Sequence, residues 1–173
     1  AIDDANRSAP LRAARLGVSE ALQGSGWRSL HTGSWEELTE DLSSAPALLF
    51  AGHAAAPGPR SPGALEFGLG TWPARMLLAL PRAPSFVALI ACRAGALDAQ
   101  DGTPLDLSLG PALIRAGAEL VVAPAENITA EQGAALLTGL SSALAQTHTP
   151  LEAWMALHAK PPPGLDLVRA MVP

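Results

Sequence analysis

The chain has 173 residues, 49% of them hydrophobic and 16% charged, with a formal net charge of -5 and a single cysteine. That length supports one domain with a sizeable core. An acidic balance without a Lys/Arg cluster argues against direct binding of nucleic acid or an anionic membrane, and one cysteine excludes an internal disulfide framework and a cysteine-rich zinc site.

No stretch approaches the roughly 20 apolar residues that span a bilayer, and no basic region followed by an apolar one opens the chain. A cytoplasmic setting is the expectation. The first residue is Ala1 rather than Met, which reads as one domain taken from a longer protein.

In chain order, residues 1–9 offer at most a stub of strand before Pro10. Residues 10–26 then place Leu11, Ala14, Val18, Ala21 and Leu22 on one face and end in glycines, which predicts a helix. A second helix is predicted over 34–44, where Ser34 and Glu37 form a capping-box pattern and Leu38 and Leu42 face inward. The continuous apolar run at 47–52 predicts a buried strand. Residues 71–80 read as a helix capped by Thr71 with Pro73 in its first turn. Further buried strands are predicted at 86–92 and 118–125, with a helix between them over 107–117 and another over 129–146, the latter opened by Thr129 and Gln132. The Pro-rich residues 160–164 read as a turn before a last short helix.

Apolar strands alternating with helices predict an α/β fold with a mostly parallel central sheet covered by helices on both faces. In such sheets the functional crevice lies at the carboxyl ends of the strands. Two of these ends carry reactive residue types: the first strand runs into His53 and the second ends on Cys92. Each residue alone has an ordinary structural explanation, since cysteine packs as a small hydrophobe and a strand-end histidine is commonly structural. Together they supply a nucleophile and a base. The imidazole takes the thiol proton and later returns it to a leaving amine, while the backbone N–H groups of Cys92 and Ala54 are candidate donors to the oxyanion. Gly52 and Gly95 leave room for a substrate backbone.

The motifs Ala51-Gly52-His53, Ala91-Cys92 with Gly95, and Ala116-Gly117-Ala118 before Val121-Val122 occur in the order found in CHAT domains. Over most of the chain the sequence resembles that caspase-like family of cysteine peptidases, which also includes caspases and separase as relatives. The resemblance implies a caspase-like three-layer sandwich whose first strand is either removed here or supplied by another segment, a His53–Cys92 dyad without an acidic third member, and no cofactor. It also implies a protein or peptide substrate, regulated proteolysis such as bacterial defence or programmed cell death, and control by an activating partner or fused sensor domain. The sequence departs from the family at Ala54, where glycine is usual, and after the Val-Val strand. The aspartates of basic-specific relatives fall there on Thr129 and Ala130, leaving Glu126 as the acidic candidate for substrate binding. These departures keep open a catalytically silent caspase-like binding or scaffold module, and an esterase or transferase using the same thiol is a third reading.

His31, His148 and His158 lack metal-ligand spacing, so no metal is expected. Asp98, Asp101 and Asp106 lie in a polar loop without the spacing of a calcium site. Trp27, Trp35, Trp72 and Trp154 are expected to pack in or beside the core.

Overall fold

The computed structural model describes residues 13, 17–18, 26–28, 34–55, 57, 62–67, 70–96 and 108–173. Most of the expected first helix lies outside them, as do residues 1–12. Ala13, Gly17 and Val18 are helical, and Val18 is buried.

Helix α1 (Trp35–Ser44) starts where the Ser34 side chain accepts a hydrogen bond from the Glu37 N–H at 3.2 Å, with Glu36 and Glu37 in the positive first turn. Strand β1 (Ala47–Ala51) follows. The chain then forms β2 (His53–Ala55), β3 (Ala64–Phe67) and β4 (Gly70–Pro73), an antiparallel sheet in the order β2-β3-β4. Next come helix α2 (Ala74–Leu78), strand β5 (Phe86–Ile90), helix α3 (Leu109–Arg115) and strand β6 (Leu120–Pro124). Helices α4 (Ala130–Gln146) and α5 (Pro150–Ala159), a 3-10 turn (Leu165–Leu167) and strand β7 (Val168–Met171) complete the order.

The main sheet runs β1-β5-β6-β7. Ala47 to Ala51 pair in parallel with Phe86 to Ile90, Phe86 to Ala88 in parallel with Leu120 to Val122, and β7 pairs antiparallel to β6. All five residues of β5 and all five of β6 are buried, as both-face coverage requires. Strand alternation sorts them. Val87, Leu89, Val121 and Ala123 pack with Leu38 and Leu42 of α1, Leu77 of α2 and Leu113 of α3. Phe86, Ala88, Ile90 and Val122 pack with Leu136 and Leu140 of α4 and Trp154 and Leu157 of α5. The protein is therefore an α/β fold in which helices flank both faces of a mixed, mostly parallel sheet.

The capping box expected at α4 is complete: Thr129 accepts from the Gln132 N–H at 3.2 Å, and the Gln132 side chain accepts from the Thr129 N–H at 2.8 Å. Thr149 and Glu152 repeat the device at α5.

Two expectations require correction. Thr71 does not cap a helix; it lies in β4 opposite Glu66, and α2 begins only after Pro73. Thr71 and Trp72 suit a strand, and Trp72 stacks on Trp35 with ring centroids 5.2 Å apart. Pro73 ends an edge strand, where its missing N–H costs no ladder bond. The chain end is also not a helix beyond the 3-10 turn. After Gly164, at φ 86, the chain reverses and adds β7 antiparallel to β6.

Leu89→Ala should lower the unfolding free energy by about 2–5 kcal/mol, the usual cost of truncating a buried leucine, because Leu89 is fully buried. Leu151→Ala should change it by less than about 0.5 kcal/mol, because Leu151 is 55% exposed. Urea denaturation of the two variants checks the contrast.

Candidate active site

At the carboxyl ends of β1 and β5 the ladder closes with Ala51 opposite Ile90, and the Gly52 N–H donates to the Ile90 carbonyl at 3.2 Å. His53 and Cys92 each follow two residues after these paired strand ends. The chain segments bearing the histidine and the cysteine thus leave neighbouring parallel strands at the same edge of the main sheet. Both residues are half-buried. His53 then opens β2, where it pairs with Glu66 of β3. The side sheet thus fixes the backbone direction of the imidazole-bearing residue as it leaves β1.

Cys92 begins a tight turn. Arg93 has φ 53 and is the non-glycine residue with a positive φ among the described residues. An L-residue in this region stores strain that the surroundings must hold. Here the holding groups are visible. The Arg93 N–H donates to the Glu126 carbonyl at 3.0 Å, and the Gly95 N–H donates to the Pro124 carbonyl at 2.7 Å. Within the turn, the Ala94 N–H reaches Ala91 at 3.2 Å and the Ala96 N–H reaches Arg93 at 3.0 Å. The amides of Arg93 through Ala96 are all engaged, and the Cys92 N–H is not among these donors.

The segment between β6 and α4 packs against this turn. The Cys92 thiol donates to the Ile128 carbonyl, with Sγ 3.3 Å from the oxygen. Glu126 is exposed on the same segment, so the acidic candidate stands on the backbone that abuts Cys92. Thr129 has its hydroxyl committed to the α4 cap, and Ala130 is the first residue of that helix.

Gly95 has a packing role. A Cβ there would lie 2.5 Å from the Ala123 carbonyl oxygen, so the glycine lets the cysteine turn touch the end of β6. Gly52 is less constrained, because its added Cβ would meet the far edge of the Phe50 ring at 2.9 Å. Ala54 lies in β2 opposite Leu65 with no left-handed backbone requirement, so its Cβ is accommodated without backbone strain.

The other marked residues do not gather at this edge. His148 and His158 are exposed, and His158 meets the edge of Trp154 with centroids 4.7 Å apart. Trp35 and Trp72 pack against one core cluster, and Trp27 packs against the other, which includes the buried Trp154. His31, Asp98, Asp101 and Asp106 lie outside the described residues. Among the described residues no group of His, Cys, Asp and Glu is arranged to hold a metal ion, and no helix is long and apolar enough to cross a membrane. A cavity of about 890 Å³, lined by Pro46, Leu49, Phe86, Leu120, Leu144 and Leu151 among others, opens at the amino ends of the strands, opposite His53 and Cys92.

The sequence reading missed Arg93 and Ile128. The first acts through a backbone angle and the second through a carbonyl oxygen, neither of which side-chain identity announces. A comparison with protein-family models finds no match, and a comparison with curated protein sequences finds none.

Gly95→Ala should destabilise the fold by about 1–3 kcal/mol, the range for overpacking, because the obstructing atom is rigid backbone. Gly52→Ala should cost less, because an aromatic side chain can give way. Paired urea melts test the order; an equal or reversed ranking would contradict the packing assigned to Gly95.

Proposed function

We propose that this chain is a cysteine endopeptidase of the CHAT, caspase-like type, cleaving a protein or peptide substrate through Cys92 and His53. The observation that supports the reading is the β1–β5 register, whose paired ends Ala51 and Ile90 lie two residues before His53 and Cys92. The motifs Ala51-Gly52-His53 and Ala91-Cys92 with Gly95 support it.

In this mechanism the imidazole takes the thiol proton and the sulfur adds to the scissile carbonyl. The resulting oxyanion is received by the Cys92 N–H, with the Ala54 N–H as second donor. His53 returns the proton to the departing amine, and water then releases the acyl group from Cys92 with His53 as base. In this reading Glu126, exposed beside the cysteine turn, meets a basic side chain of the substrate. The chemistry needs no cofactor. A cytoplasmic protein under the control of an activating partner or fused sensor domain, acting in regulated proteolysis, completes the proposal.

A silent binding module is the second reading. The commitment of Thr129 to a helix cap favours it, because a position that carries an acidic group in basic-specific relatives is here a structural hydroxyl.

A chloromethyl-ketone peptide probe should label Cys92, and His53→Ala should slow labelling by about 100-fold or more, the usual contribution of a positioned base. Peptide mapping by mass spectrometry gives the rates. Labelling no faster than that of a free thiol, and indifferent to His53, favours the binding module.

A further inference from the structure

The Cys92 thiol is already occupied. A thiol has one hydrogen, and here it is given to the Ile128 carbonyl oxygen at 3.3 Å. A carbonyl oxygen can accept S–H but has no hydrogen to offer a thiolate. The contact is therefore satisfied only while sulfur keeps its proton, whereas the nucleophile is the thiolate.

The segment that supplies this carbonyl is anchored along its length. Pro124 accepts from the Gly95 N–H, Glu126 accepts from the Arg93 N–H, and the Ala125 N–H donates to the Leu167 carbonyl at 2.8 Å. Ile128 is half-buried against the core, and Thr129 closes the segment with the α4 capping box. Glu126 and Asn127 remain exposed at its crest, where a partner can reach them.

We propose that residues 125–128 are a catch that holds Cys92 in its protonated, resting arrangement, and that withdrawing the Ile128 carbonyl is the activating step. This rests on the reading of Cys92 and His53 as the reactive pair. Release transfers nothing covalently; it frees the thiol proton for the imidazole. The catch and the strained Arg93 backbone share the Glu126 hydrogen bond, so movement of the segment also frees the turn that presents the sulfur.

The test is the rate at which iodoacetamide alkylates Cys92 in the full chain, where sulfur displaces iodide and the thiol proton passes to solvent. Ile128→Gly removes the apolar anchor, and Thr129→Ala removes the cap while leaving Ile128 in place. Thr149→Ala removes the matching cap of α5, away from the catch, and controls for general loosening. Ile128→Gly and Thr129→Ala should each raise the rate about threefold to tenfold, the equilibrium equivalent of one modest hydrogen bond, and Thr149→Ala should leave it unchanged. Unchanged or slower alkylation in a folded Thr129→Ala protein overturns the catch, as does equal acceleration by Thr149→Ala; circular dichroism verifies folding. Repeating the series with His53→Ala separates the two readings. Acceleration that survives loss of His53 keeps the catch and removes the dyad. Alkylation that depends on His53 but ignores residues 128 and 129 keeps the dyad and removes the catch.

Discussion

The parallel register between β1 and β5 is the constraint on which the rest of the site depends. Ala51 lies opposite Ile90, and His53 and Cys92 each follow two residues after these paired ends. A slip of one residue would turn each strand's core-facing side chains to the other face of the sheet. Register is held by burial: Val87 and Leu89 belong to the α1–α3 side, whereas Phe86, Ala88 and Ile90 belong to the α4–α5 side. The interior packing that stabilises the fold thus also fixes the relative height of the two chemically capable residues. Neither residue needs a dedicated positioning device along the strand direction.

Beyond the sheet edge, other forces take over. His53 is steered by the antiparallel pairing of β2 with β3, and Cys92 by the turn that closes on the end of β6. That turn is compact because Gly95 brings bare backbone against the Ala123 carbonyl, and because Arg93 tolerates a left-handed backbone angle. The hydrogen bonds from Arg93 and Gly95 to Glu126 and Pro124 offset this conformational cost. Any displacement of the β6–α4 segment removes part of that compensation.

The three central strands were legible because they are continuous apolar runs, and the capped starts of α1 and α4 were legible because a side chain and a backbone amide recognise each other over three residues. The β2–β4 sheet was not. Its strands are short, and β4 overlaps a segment whose Thr and Pro imitate a helix start. Trp72 stacking on Trp35, together with pairing to Leu65, outweighs that local signal. Strand β7 was hidden for a related reason: its residues are mostly exposed or half-exposed, so no apolar alternation marks it. The positions of His53 and Cys92 followed from strand ends and a parallel order. The contact between Cys92 and Ile128 joins residues 36 apart through a main-chain carbonyl and has no sequence signature.

The cavity beneath the amino ends of the strands sharpens the assignment of the site. It is roomy and largely apolar, yet its lining joins strand starts and helix ends far from His53 and Cys92. In a parallel sheet, the end that receives strands from the preceding connections and the end that projects residues beyond them are chemically unequal, and catalysis gathers at the latter. Enclosed volume therefore points to one edge and reactive side chains to the other. The hollow is lined mainly by apolar groups together with Ser44, Ser85, Thr147 and His148, whereas the carboxyl edge carries the thiol of Cys92 and the imidazole of His53, each two residues past a paired strand end. What that edge lacks is openness, because the Ile128 carbonyl stands against the sulfur. The segment bearing Ile128 therefore forms the near wall beside the sulfur, and any group that approaches Cys92 from that side meets it first.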